Sequence, residues 1–327
     1  MTRLPLMPHA EQHRDPAMRR GMVGRRAVMV LVAAAVLGLG LAGDDFVLRF
    51  AAEILLVGTA VMSLNVFIGF AGLVSLGHAA LFGAAAYAGA IVAQHGASDL
   101  LVVLPVGILC GAALAAVMAL VAQRSAGLFF LVLTLVVGQM TWELVFRWRD
   151  VTGGADGLRG FPALTVLGMS ATQPIGLYAL SAGLAAVSWW VLRTFVDAPV
   201  GHAIQGMRDQ PLRMRALGFH LGRLRLATFL VTGAVAGAAG SVYPFVNQYI
   251  GPQSVHWSMS ATLVIMSVLG GIATLAGGFV GAAVYLVAQT QLSSFTDRWQ
   301  LLIGLVFVVT VIFLPHGIVP ALRRPRP

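Results

Sequence analysis

The chain has 327 residues, 58% of them hydrophobic and only 10% charged, and its mean hydropathy of +0.87 excludes an ordinary soluble globule. The net charge is +9 and every basic residue is arginine; because these arginines fall between apolar runs, the positive-inside rule accounts for them and nucleic acid is not expected as a partner. The single cysteine, Cys110, excludes an intrachain disulfide and a cysteine metal cluster.

The amino-terminal region combines a polar, basic stretch with an apolar one. Residues 1–26 carry six arginines, five of them between positions 14 and 26, and residues 27–42 are apolar. This pattern is also that of a secretory signal peptide, but many further apolar runs follow, so an uncleaved first membrane helix is favoured. The composition of residues 1–26 predicts a disordered basic cytoplasmic tail.

Ten apolar runs are separated by polar breaks, and a helix needs about 20 residues to cross a bilayer. The sequence therefore predicts an all-α, polytopic membrane helix bundle of about ten transmembrane helices. The range is eight to ten, because residues 78–93 and 279–292 are short enough to be re-entrant. The runs cover residues 27–42, 46–68, 78–93, 100–122, 127–146, 173–192, 226–245, 258–276, 279–292 and 301–314.

The arginines indicate an orientation. If the amino terminus lies inside, most arginines fall in inside segments, which favours an even number of spans with both termini cytoplasmic. The arginines left outside are Arg49, Arg147, Arg149, Arg159 and Arg298.

Residues 69–83, GFAGLVSLGHAALFG, place four glycines, Ser75 and His78 at membrane depth. Small residues there allow either close helix contact or a broken helix whose backbone lines a cavity, and both interpretations stay open. His78 has no second ligand at i+4, so no metal site is predicted. A faint similarity between residues 72–87 and residues 271–285 suggests duplicated halves, although glycine and alanine bias explains it equally well.

Other polar residues near the membrane have local explanations. Residues 152–157, TGGADG, predict a tight surface turn. Glu143 and Arg147 have the spacing of an intrahelical ion pair, and Glu53 is expected to pair with Arg49 near the membrane interface.

A basic island interrupts the apolar pattern at residues 201–225. Its spacing predicts short amphipathic helices broken at Pro211 and Gly218, lying flat at the cytoplasmic face. Glycine pairs four residues apart predict helix interfaces within the bundle, with dimerisation as the lesser alternative. These pairs are Gly107 with Gly111, Gly233 with Gly237 and Gly277 with Gly281.

Several stretches together resemble the permease subunits of ABC importers for branched-chain amino acids, the hydrophobic amino acid uptake family. They are residues 64–87 (LNVFIGFAGLVSLGHAALFGAAAY), 152–160 (TGGADGLRG), 201–218 (GHAIQGMRDQPLRMRALG), 227–240, 268–281 (VLGGIATLAGGFVG) and 314–319 (LPHGIV). The long amino-terminal region and the TGGADG loop are closer to the M-type partner than to the H-type. The resemblance implies an ABC importer permease fold and a transport subunit of the cell inner membrane, not an enzyme. No catalytic triad, phosphate loop or zinc motif appears in the sequence.

The resemblance also implies a division of the chain and a set of site residues. The tail 1–26 would be followed by a permease domain over 27–316, with a cytoplasmic coupling loop at 195–225, and by a cytoplasmic tail at 317–327. Coupling to an ATPase would use Arg208, Asp209, Arg213, Arg215, Leu217 and Gly218. The translocation pathway would be lined by Asn65, Gly72, Ser75, Gly77, His78, Gly270, Gly271 and Thr274. The periplasmic loop would comprise Thr152, Gly153, Gly154, Asp156 and Gly157.

The implied partners are a second permease subunit, two cytoplasmic ATP-binding subunits that hold ATP and magnesium, and a periplasmic solute-binding protein. The chain itself is expected to bind no cofactor. The sequence departs from the family at Pro211, where a glutamate is usual, and at Arg213 and Arg215. These departures predict an unusually cationic docking loop.

Three other functions are compatible with parts of the sequence. A permease for urea, short amides or another small polar solute would use the same architecture. An ion-coupled secondary transporter would use Glu53 or Glu143 as its proton site, but the sequence lacks paired membrane acids. A structural scaffold is disfavoured by the glycine-rich polar segments.

Overall fold

The computed structural model describes residues 44–122, 125, 127–166, 169–171, 173–296, 298–313 and 317–323. The tail 1–26, the first predicted span 27–42, Arg124 and the last four residues of the carboxy-terminal tail lie outside the described residues. Most of the described chain is α-helical. Its strands are two residues long each and form two antiparallel pairs.

The longer helices follow most of the predicted apolar runs, and the strands lie between them. The α-helices of the described chain are α1 Asp45–Asn65, α2 His78–Gln94, α3 Leu100–Ala122, α4 Leu128–Arg147, α5 Arg149–Thr152, α6 Pro174–Asp197, α7 Pro199–Asp209, α8 Pro211–Ala216, α9 Leu221–Asn247, α10 Trp257–Gly270, α11 Leu275–Phe295, α12 Trp299–Phe313 and α13 Ile318–Arg323. The strands are β1 Leu158–Arg159, β2 Thr165–Val166, β3 Met169–Ser170 and β4 Tyr249–Ile250. β1 pairs antiparallel with β4, and β2 with β3.

Among the described residues, six helical segments are long and apolar enough to cross a membrane: Asp45–Phe70, Leu100–Ala122, Leu128–Arg147, Pro174–Asp197, Leu221–Asn247 and Leu275–Phe295. Three shorter apolar helices, α2, α10 and α12, accompany them. The chain is therefore an all-α, multi-pass membrane protein. The predicted count of eight to ten spans stays a prediction.

The bundle has two distinct ends. α7 and α8 lie at one end, which we call the α8 end, and the β1–β4 pair lies at the other, which we call the hairpin end. α9 connects them, since it follows α8 and leads into β4. Arg193, Arg208, Arg213, Arg215, Arg223 and Arg225 lie at the α8 end, whereas Arg49, Arg147, Arg149, Arg159 and Arg298 lie at the hairpin end. This segregation matches the two groups of arginines separated in the sequence.

Interlocked glycines hold α3 and α9 together. A Cβ atom on Gly111 would lie 2.8 Å from Cα of Gly237, and one on Gly107 would lie 2.8 Å from the Gly237 carbonyl oxygen. The two helix backbones approach this closely only because neither side carries a side chain. The prediction that these glycine pairs form interfaces within the bundle is confirmed for both helices.

Two local predictions about acidic residues had different outcomes. The ion pair between Glu143 and Arg147 is confirmed. The predicted pair between Glu53 and Arg49 is wrong: Tyr243 donates to the Glu53 carboxylate over 3.2 Å, and Arg49 donates to the carbonyl oxygen of Val246 over 3.2 Å. Groups on α9 thus replace the expected partner one turn away on α1.

Candidate functional site

The first predicted pathway segment contains a genuine break between two membrane helices. α1 continues into a π-helical turn, Val66–Phe70, and residues 71–77 then run without helical structure to the start of α2 at His78. Gly72 has φ of +68°, which disfavours any side chain. Both Ser75 and His78 are buried, at 2% and 1% exposure.

Side-chain hydroxyl oxygens accept hydrogen bonds from three backbone amides at this break. The amide of Leu76 donates to Oγ1 of Thr134 over 3.3 Å, and the amide of Ala79 donates to Oγ of Ser260 over 2.9 Å. The amide of Gly77 donates to Oγ of Ser75 over 3.3 Å. Side-chain partners of this kind are what allow non-helical backbone inside a membrane protein.

His78 has a specific partner on α1. Its Nε2 atom lies 2.7 Å from Oγ of Ser63, and both residues are buried. Its ring also meets the ring of Phe67 edge-on, with centroids 6.2 Å apart. Within the described residues no group of three His, Cys, Asp or Glu side chains is arranged to hold a metal ion. His78 is therefore part of a helix-to-helix hydrogen bond at the break.

A second break separates α10 from α11. Gly271 follows α10 with φ of +120° and Ala273 has φ of +66°, so the chain leaves the helix abruptly. Thr274 then caps α11, its Oγ1 accepting from the amide of Gly277 over 3.1 Å. The sequence predicted a continuous span over 258–276, and that prediction is wrong because the helix ends at Gly270.

The two breaks meet, and we call their contact the break junction, formed by Asn65, Gly69, Ser267, Ala273 and Thr274. Nδ2 of Asn65 donates to the carbonyl oxygen of Thr274 over 2.9 Å, and Oγ of Ser267 donates to Oδ1 of Asn65. A Cβ atom on Gly69 would lie 2.9 Å from Cβ of Ala273. Asn65 and Ser267 are fully buried, so the junction is closed in this conformation.

The predicted pathway residues thus form two neighbouring groups. Asn65, Gly270, Gly271 and Thr274 gather at the break junction. Ser75, Gly77 and His78 lie at the start of α2. Gly72 belongs to neither group, because the side chain of Arg208 covers it.

The basic island forms two short helices at the α8 end. α7 buries Ala203, Ile204 and Met207 against the bundle, whereas α8 has no buried residue. The chain breaks before Pro211 and turns at Gly218, whose φ is +87°. The predicted breaks at both positions are confirmed.

α8 and the turn after it present an apolar and cationic surface. Leu212 and Leu217 are 77% and 65% exposed, and Arg213 and Arg215 are exposed beside them. Arg208 and Asp209, at the end of α7, instead form an ion pair of 2.8 Å. Arg208 also donates from Nη1 to the carbonyl oxygen of Gly69 over 2.5 Å. Of the predicted coupling residues, Arg213, Arg215 and Leu217 therefore face outward, whereas Arg208 is hydrogen-bonded to the first break.

The loop at residues 152–157 lies at the hairpin end. Thr152 is 4% exposed, and its Oγ1 donates to the carbonyl oxygen of Trp148 over 2.7 Å. Gly153, Gly154 and Gly157 have φ of +72°, +61° and +69°, and Asp156 is exposed. The predicted tight turn is confirmed. It leads into β1, where Arg159 lies 4.7 Å above the ring centroid of Tyr249.

Sequence reasoning missed the hydroxyl residues that support the site: Ser63, Thr134, Ser260 and Ser267. All four are buried and hydrogen bond to residues of the breaks. The available signal was the presence of hydroxyl side chains within apolar runs, since polar groups inside a bilayer need partners.

These features define a class of protein: a multi-pass membrane protein with two helix breaks that meet and an exposed basic segment at one end, which is the architecture of a transport permease. A family model described as branched-chain amino acid transport system / permease component matches residues 46–311. The chain belongs to this family of transport permease subunits.

The relatives refine the family. The chain is 24% identical over 285 residues to the high-affinity branched-chain amino acid transport system permease protein LivM of Escherichia coli, covering 80% of this chain and 67% of that protein. LivM of Salmonella typhimurium matches to the same extent. The probable branched-chain amino acid transport permease protein LivH of Methanocaldococcus jannaschii is 23% identical over 127 residues, 36% of this chain and 40% of that protein. No solved structure gives a significant match.

The predicted family and its LivM type are confirmed by these similarities. The relatives are transport permease subunits, so the prediction that the chain is a transport subunit and not an enzyme is also confirmed.

Proposed function

We propose that the chain is the membrane-spanning permease subunit of an ATP-driven ABC importer, and that it moves branched-chain or other hydrophobic amino acids across the inner membrane. The observation that carries this proposal is the match of the branched-chain amino acid permease family to residues 46–311. The LivM relatives support the substrate class through their own names.

The break junction and the start of α2 form the translocation pathway in this proposal. Asn65, Ser75, His78 and Thr274 provide polar groups. Gly77 and Gly270 let neighbouring backbone pack directly beside them, and Gly271 turns the chain at the second break. Because helix breaks expose backbone carbonyl and amide groups, such a region can meet the charged ends of a zwitterion without a charged side chain. In this proposal the burial of Asn65 and Ser267 corresponds to a conformation in which the pathway is shut.

α8 is the docking element for the ATP-binding subunits. Leu212 and Leu217 are exposed apolar anchors, and Arg213 and Arg215 give the surrounding surface a positive charge. Two such subunits would hold ATP and magnesium, and a second permease subunit would complete the membrane part. At the other end, the loop 152–157 would face a periplasmic binding protein that delivers the amino acid.

The orientation follows from the arginines. The α8 end carries more of them and would be cytoplasmic, with both termini on that side and eight to ten spans in all. The domain limits are those expected from the sequence: a tail over 1–26, a permease domain over 27–316 with its coupling loop at 195–225, and a tail over 317–327.

One experiment tests the proposal directly. The tagged chain is purified in mild detergent from its own host, its co-purifying subunits are identified by mass spectrometry, and the complex is reconstituted in proteoliposomes with the purified binding protein. We expect ATP-binding subunits, a second permease, and leucine uptake that needs ATP and survives a collapsed ion gradient. Uptake by the chain alone, driven by an ion gradient, would refute the proposal, and uptake of urea in place of leucine would refute the substrate class.

A further inference from the structure

Arg208 differs from Arg213 and Arg215 of the basic island. Although 38% of its side chain remains accessible, its guanidinium turns toward the bundle and donates to the carbonyl oxygen of Gly69 over 2.5 Å. Asp209 holds the Nε side of the same guanidinium at 2.8 Å. Arg213 and Arg215, by contrast, lie on α8, which has no buried residue.

The acceptor, Gly69, is at a special place in the fold. It belongs to the π-helical turn that ends the first span, where helix carbonyls lose their backbone partners. A cation at the carboxy-terminal end of a helix satisfies such a carbonyl and also complements the helix dipole. The other side of Gly69 packs on Ala273, which lies in the second break.

Gly72 provides a second, steric contact with the same arginine. Its φ of +68° turns the chain just after the π-helical turn. A Cβ atom at this position would overlap Cγ of Arg208 and lie 3.2 Å from Cδ. The Arg208 side chain therefore lies directly on the backbone of the first break, and only a glycine leaves space for it.

We propose that Arg208 is a positioning residue that transmits movement of α7 and α8 to the break junction, and that it is not part of the surface that docks the ATP-binding subunits. The inference rests on the proposed function and deepens it. When α7 moves, the guanidinium of Arg208 pulls the carbonyl group of Gly69 in the same direction. Because Gly69 packs on Ala273, the displacement reaches both breaks at once.

The test uses the complete transporter, purified with its ATP-binding and second permease subunits and reconstituted with the binding protein. Leucine uptake and ATP hydrolysis are measured on the same proteoliposomes, together with the amount of ATP-binding subunit retained. The variants are Arg208→Ala, Arg208→Lys and Gly72→Ala, which keeps the arginine but displaces it. The matched control is Arg193→Ala, because Arg193 at the same end also pairs with an aspartate, Asp197, over 2.5 Å, and bonds no helix break.

We expect Arg208→Ala and Gly72→Ala to retain the ATP-binding subunits and to hydrolyse ATP within about twofold of wild type. Leucine uptake per ATP should fall at least about tenfold, with partial recovery in Arg208→Lys and no change in Arg193→Ala. If Arg208→Ala does not assemble, Gly72→Ala decides the question.

Two results would overturn the inference. One is wild-type uptake per ATP in both Arg208→Ala and Gly72→Ala. The other is loss of ATP-binding subunits from Arg208→Ala while the complexes that remain stay fully coupled, since that would make Arg208 a docking residue. Failure of the proposed function is distinguishable, because the wild-type protein itself would then show no ATP-binding subunits and no ATP-dependent uptake.

Discussion

The side-chain amide of Asn65 donates a hydrogen bond to the carbonyl oxygen of Thr274, 2.9 Å away and 209 residues later in the chain. This bond joins the end of α1 to the cap of α11. Ser267 donates to the other atom of the same amide group, so Asn65 ties together three elements around the two breaks.

Replacement of Asn65 should therefore weaken both the fold and transport. Asn65→Leu would leave the Ser267 hydroxyl and the Thr274 carbonyl without this partner, and one unsatisfied buried polar group costs about 1–3 kcal/mol. We expect a lower melting temperature in detergent and a loss of leucine uptake of at least about tenfold. Asn247→Leu, at the exposed end of α9, is the control. Unchanged melting and uptake in Asn65→Leu would contradict a junction role.

The hydrogen bond between Ser63 and His78 is suited to a double-mutant cycle. Ser63→Ala and His78→Phe each remove one partner, and the double variant removes both. We expect each single change to destabilise by about 1–3 kcal/mol and the double change to cost less than their sum by about 1 kcal/mol or more. Thermal unfolding in detergent measures this, with exposed Ser293→Ala as control. Additive effects would show that the two side chains do not interact.

The interlocked glycines predict a steric effect. Gly111→Ala places a methyl group 2.8 Å from Cα of Gly237, and forcing extra atoms into a packed interface costs about 1–3 kcal/mol. Gly304→Ala is the matched control, because no atom lies within 4 Å of a Cβ there and alanine is the better helix former. Fluorescence-detected size-exclusion chromatography after heating should separate the two variants, with only Gly111→Ala losing its monodisperse peak at lower temperature.

Charge reversal on α8 should break docking. Arg213→Glu with Arg215→Glu changes the exposed surface from cationic to anionic, which should reduce retention of the ATP-binding subunits by at least about tenfold and remove the salt dependence of wild-type binding. Retention is read from a pulldown at two salt concentrations. Arg298→Glu, at the hairpin end, should retain the subunits fully. Normal retention in the α8 variant would show that docking occurs elsewhere.

Much of the bundle could be predicted because lipid requires long apolar helices. The run at 100–122 coincides with α3, and the run at 127–146 differs from α4 by one residue at each end. α6 and α9 extend beyond their predicted limits because Arg193, Asp197, Arg223 and Arg225 continue the helices. Charged residues at helix ends lower the hydropathy without ending the helix, since their side chains reach the interface.

The details of the site depended on long-range contacts. The end of α10 at Gly270 is invisible to hydropathy, because residues 271–274 are nearly as apolar as their neighbours and the break arises from backbone angles at Gly271 and Ala273. The predicted partner of Glu53 was wrong for a similar reason. Spacing along one helix suggested Arg49, but Tyr243 and Val246 on α9 supplied the actual partners.

α9 also has a mechanical consequence. Its 27 residues give a rod of about 40 Å, so a tilt of about 5° about one end would displace the other by about 3.5 Å. The glycine contacts lock α3 to the same rod, which adds stiffness against bending. The two faces of the bundle are therefore linked by one long helix, and a small rotation imposed at the α8 end would reach the hairpin end as a displacement of about the diameter of a methyl group.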